Sequence, residues 1–84
     1  MNIFIIMGSD SAHEIGEIDG VFEFLEDAME MAENQTLKRY SYVNIEEWPV
    51  GSNIYENLWL IDRWRKEWSV MDLDSFQMKK WQKP

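Results

Sequence analysis

The stretch Ile15–Asn34, IGEIDGVFEFLEDAMEMAEN, decides how this chain is read. Ile15 to Phe22 alternates apolar and polar side chains imperfectly, as a half-buried strand does. Asp19-Gly20 in its middle marks a bulge or a tight turn. From about Glu23 the period changes. Leu25, Ala28, Met29 and Ala32 recur at the i, i+3, i+4, i+7 spacing of a buried helical stripe, widened by Phe24 and Met31. Glu23, Glu26, Asp27, Glu30 and Glu33 form a second stripe at the same spacing. A strand running straight into a helix of roughly Glu23 to Asn34 follows, apolar toward a core and acidic toward solvent. Asn34-Gln35-Thr36 breaks the pattern, with Asn34 suited to a left-handed cap.

Upstream, Ile3 to Met7 is a continuous β-prone run that predicts a strand buried on both faces. Gly8-Ser9-Asp10-Ser11 ends it, and antiparallel pairing with Ile15–Phe22 is the economical topology. Downstream, Tyr40 to Ile45 predicts a third strand, Tyr40 and Tyr42 on one face and Val43 and Ile45 on the other. Pro49 and Gly51 stop it near Trp48. Residues 53–68 carry both signals. Ile54, Leu58, Ile61, Trp64 and Trp68 fit helical spacing, whereas Leu58-Trp59-Leu60-Ile61 reads as an inner strand, which is the reading preferred. Leu73, Phe76 and Lys80 or Trp81 predict a short C-terminal helix capped by Asp72 or Asp74. The expected fold is therefore one α+β domain over residues 1–84: a small antiparallel sheet of three or four strands, one main helix packed on it, and a short C-terminal helix.

At 84 residues the chain has room for one small core, burying about 60% of its unfolded surface. There is no cysteine, so twelve aromatics, five of them Trp, carry the burial instead. The net charge of −8 argues against direct binding to nucleic acid or anionic membrane. Its distribution is lopsided. Residues 1–37 hold nine acids and no base, and residues 38–84 hold seven acids and all eight bases, so the halves carry −9 and +1. No run approaches a membrane span or a signal-peptide core, and a cytoplasmic protein is expected.

The segments MNIFIIMGSD, GVF, EDAMEMAE and YSYVNIEEW, in that order over about residues 2–48, resemble small phage-type α+β domains. Such domains often place Ser or Thr as the helix cap after GVF, where this chain has Glu23-Phe24. The resemblance implies a small α+β fold and a mobile-element origin, and no activity.

Like-charge pairs along the acidic stripe cost the helix roughly 1 to 2 kcal/mol, at a few tenths each. Carboxylates in the first turn recover part of this from the helix dipole. Burying Leu25 and Met29, at about 1.5 to 3 kcal/mol each, outweighs the remainder. Nothing in local stability requires the stripe to lack every lysine. It reads either as a merely solvated face or as a surface for a basic partner. The expected function is non-catalytic: a phage-encoded acidic module engaging a basic, nucleic-acid-binding surface of a host protein, as a host-defence inhibitor or DNA mimic. Glu23, Glu26, Asp27, Glu30 and Glu33 would carry it, with Glu17 and Asp19 at the rim. One alternative is a homodimer built on the Trp-rich second half, where Trp59, Trp64 and Trp68 interleave with Arg63, Arg65 and Lys66. Another is a metal or small-ligand site near His13, the only histidine, with Asp10, Glu14 and Glu17 close in sequence. Gly8-Ser9-Asp10-Ser11 lacks the Lys and second Gly of a phosphate loop. No nucleophile–base pair stands out, and no cofactor or metal is expected.

Overall fold

The structure, a computed structural model, describes residues 1–11 and 16–82. Its strands are β1 (Asn2–Ser9), β2 (Glu17–Phe22), β3 (Tyr42–Pro49), β4 (Asn57–Asp62), β5 (Ser69–Asp72) and β6 (Gln77–Lys80). They form one antiparallel sheet in the order β2-β1-β3-β4-β5-β6. Between β2 and β3 runs one helical segment. α1 (Leu25–Met31) passes through a π-helical turn (Ala32–Thr36) into α2 (Leu37–Arg39). The α+β architecture is as the sequence predicts. The sheet is larger, six strands against three or four.

The extra strands come from the C-terminal segment, where the expected helix is absent. Ser69–Asp72 and Gln77–Lys80 pair as a hairpin instead. Asp72 is a capping residue, but of a turn. Its carboxylate accepts from the Asp74 amide (3.0 Å), and its carbonyl accepts from the Phe76 amide (2.7 Å). Phe76 then takes a left-handed backbone, φ 55°, which closes the turn. Leu73 and Phe76, whose spacing suggested a helix, stand exposed at its tip.

The predicted pairing of β1 with β2 is present, and Asp19 is the bulge. Ile6 faces Gly20 while Met7 faces Ile18, so Asp19 is the additional residue on β2. β3 starts at Tyr42; Tyr40 precedes it in an extended conformation, and Val43 and Ile45 are buried as expected. Leu58 to Ile61 is an inner strand within β4. Asn34 does not cap the helix, because the chain stays helical through it to Arg39. The π turn has a polar outer surface, Glu33-Asn34-Gln35, while Ala32, Thr36 and Leu37 remain buried. That is why the segment reads as a break.

Register places Phe4, Ile6, Val43, Ile45, Trp59, Ile61 and Val70 on one face of the sheet. Ala28, Met29, Ala32 and Leu37 of the helical segment join them in a single core with Trp68. Each fully buried Ile contributes about 1.5–3 kcal/mol over exposure. At one end of this face Glu47 accepts from Asn2 (2.6 Å) and Asn57 (2.9 Å), tying β1, β3 and β4 together. Among the described residues no helix is long and apolar enough to cross a membrane.

Candidate functional site

The helix flank nearest the C-terminal hairpin borders a groove of about 910 Å³. Its apolar surface comes from Phe24, Leu25 and Met29 on the helical side and from Trp68 and Trp81 on the sheet side. Trp81 is held there by its amide, which donates to the Trp68 carbonyl at 3.0 Å. Around that surface stand Glu26, Asp27, Glu30 and Glu33 of the helical segment and Glu67 of the β4–β5 connection. One cation, Lys80, joins them. Five carboxylates against one lysine leave the groove at −4.

Local sequence builds this arrangement directly. Phe24 is the residue before α1, extended at φ −125° and ψ 136°, and no side chain caps the helix start. Its ring remains 64% exposed at the mouth of the groove. One turn of helix then sets Leu25 and Met29 on a line, four residues apart, with Glu26 and Glu30 on the parallel line beside it. The indole of Trp68 donates to Glu33 Oε1 at 2.7 Å, locking the far wall to the helix. Among the described residues, the ion pairs join Arg39 to Asp19 and Arg65 to Asp62. Neither touches a carboxylate of the groove.

Four residues of the expected acidic site, Glu26, Asp27, Glu30 and Glu33, are thus brought together along one groove. Glu23 is exposed but lies before the helix and outside the groove lining. Glu17 and Asp19 lie outside the groove lining. Both are held by residues between the end of the π turn and the start of β3, Thr36 to Tyr40. The Asp19 carboxylate accepts from the Thr36 hydroxyl at 2.6 Å and from the Arg39 guanidinium, so the bulge on β2 clamps the end of the helical segment. Glu17 accepts from the Tyr40 hydroxyl at 2.9 Å, and this bond raises the Tyr40 phenol above its ordinary value of 10.0. The Tyr40 ring lies on β1 where a side chain at Gly8 would collide with it.

Glu67, Trp68 and Trp81 belong to the site and were not expected there. In the sequence Trp68 belongs to a helically spaced series and to a basic–aromatic run, and its contact with Glu33 across 35 residues leaves no local periodicity. Of that run, Trp59 and Trp68 are buried, while Trp64 is exposed and packs edge-on against Tyr42 at 5.6 Å. His13 and Glu14 lie outside the described residues. Among the described residues no three His, Cys, Asp or Glu side chains are placed to hold a metal ion. Comparison with protein-family models, with curated proteins and with solved structures finds no match.

Proposed function

We propose that this chain is a protein-binding module whose groove captures a cationic, amphipathic segment of a partner protein. The observation that carries this reading is the coincidence of five carboxylates, none paired with a base among the described residues, with an apolar wall on which Phe24 is exposed and Leu25 and Trp81 are partly so. A solvated acidic face has no use for an apolar strip along it. An apolar strip alone would suit any hydrophobic ligand. Together they select a segment that presents an aliphatic or aromatic anchor flanked by lysines or arginines. The low-dielectric wall strengthens the pull of the carboxylates on such a segment. Where the partner's cationic surface also takes nucleic acid, occupancy by this chain excludes it, which is the inhibitory mode the acidic stripe suggests.

The test uses two labelled peptides of equal positive charge, an amphipathic one of Lys, Leu and Phe and one of Lys and Gly. The amphipathic peptide binds more tightly. Replacing Glu26, Asp27 and Glu30 together by Lys weakens it on the order of a hundredfold, at about 1 kcal/mol for each close pair reversed. The far-UV spectrum stays unchanged. Equal binding of the two peptides, or an unchanged affinity in the triple variant, refutes the reading.

A further inference from the structure

The helical segment covers one face of the sheet, and among the described residues no element crosses the other. Strand register defines that second face. Ile18, Met7, Asn44, Leu60, Ser69 and Lys80 align in one row across the six strands. In the next row lie Val21, Ile5, Glu46 and Leu58, with Met71 and Met78 paired on β5 and β6. Ile3 and Trp48 follow, beside the Trp48–Tyr55 ring pair at 5.9 Å. The face is therefore largely aliphatic and closed off by aromatics, with Asn44 and Glu46 as its polar centre. At its edges Ile18 is 66% and Val21 56% exposed.

We infer that this open sheet face is an interface that packs against the same face of a second copy of this chain. Its size is the first argument. Six strands at about 4.8 Å spacing and six or so residues at about 3.3 Å each give a face near 24 by 20 Å. That is on the order of 500 Å² in projection and more with side-chain relief, approaching the ~800 Å² per partner of a stable interface. Charge is the second. The chain carries −8, yet the charged residues on or bordering this face, Glu46, Asp62 and Glu67 against Arg65 and Lys80, nearly balance at −1. Asp62 is paired with Arg65 at 3.6 Å, and Glu67 and Lys80 lie at the edge shared with the groove. Four of the five groove carboxylates, Glu26, Asp27, Glu30 and Glu33, sit on the helix side, so two acidic copies meet with least repulsion sheet to sheet. Two twisted sheets stacked about 10 Å apart make a closed sandwich, and a two-fold axis lets one surface serve both partners.

The experiment is sedimentation equilibrium of the full chain over a hundredfold concentration range, at low and high salt. The expected species is twice the 10.1 kDa chain mass, and it tightens with salt because screening relieves the repulsion between acidic copies. Ile5→Lys with Leu60→Lys gives a monomer. Should that pair unfold the sheet, Ile18→Lys and Val21→Lys replace exposed side chains and still raise the dissociation constant at least tenfold. Glu30→Lys, on the helix side, leaves the dimer intact. A chain that stays monomeric throughout overturns the inference. So does a dimer that survives Ile18→Lys with Val21→Lys, or a monomer that instead partitions onto lipid vesicles.

Discussion

Single side chains explain why two conspicuous acids leave the candidate site. Asp19 looks like one more member of an acidic run, but a bulge turns it toward Thr36 and Arg39, 17 and 20 residues away. Only the Asp-Gly pair hinted at this, by marking an irregular strand; the identity of the partners depends on where the helix ends. Glu17 is spent on Tyr40 in the same way. Because the phenol is raised, the contribution of this tie is fully present below pH 10 and is lost as pH climbs through the raised value. Ultraviolet titration of the tyrosines should show Tyr40 ionising above 10.0, and Glu17→Gln should move it back toward that value. A Tyr40 that titrates identically in both proteins contradicts the assigned hydrogen bond.

At the scale of elements, the strands were legible wherever apolar residues alternate or run together. Ile3–Met7, Val43 with Ile45, and Leu58–Ile61 all fall in strands. The helix was legible from its buried stripe, but its end was not, since a π turn shows a polar exterior while its inner side stays buried. The C-terminal hairpin is hidden in the sequence because Leu73, Phe76 and Trp81 fall near helical spacing by coincidence, and a turn capped by aspartate uses the same residue as a helix cap. Two predictions belong here. Phe76 holds a left-handed backbone at about 1–2 kcal/mol, so Phe76→Gly should raise the melting temperature, its ring being exposed. Phe24 occupies an N-cap position without a capping side chain. Phe24→Ser should therefore stabilise the helix by about 0.5–2 kcal/mol in denaturant melts while weakening capture of the amphipathic peptide. A variant that gains stability and loses no affinity removes Phe24 from the groove's function.

The whole molecule has two unlike sides. One is a helix-covered face with an acidic, apolar-walled groove; the other is a bare sheet that is largely aliphatic and nearly neutral. The lopsided charge was readable from composition, because nine of the sixteen acids precede the first base. The groove was not, since its second wall comes from Glu67, Trp68 and Trp81, far along the chain. The measurement that bears most directly on the account is the affinity of the amphipathic cationic peptide for the native chain, taken at about 50 and 500 mM salt beside the variant with Lys at positions 26, 27 and 30. The account predicts tight binding that weakens with salt in the native chain, and weak, nearly salt-independent binding in the variant. Equal affinities with equal salt dependence in the two proteins would contradict it.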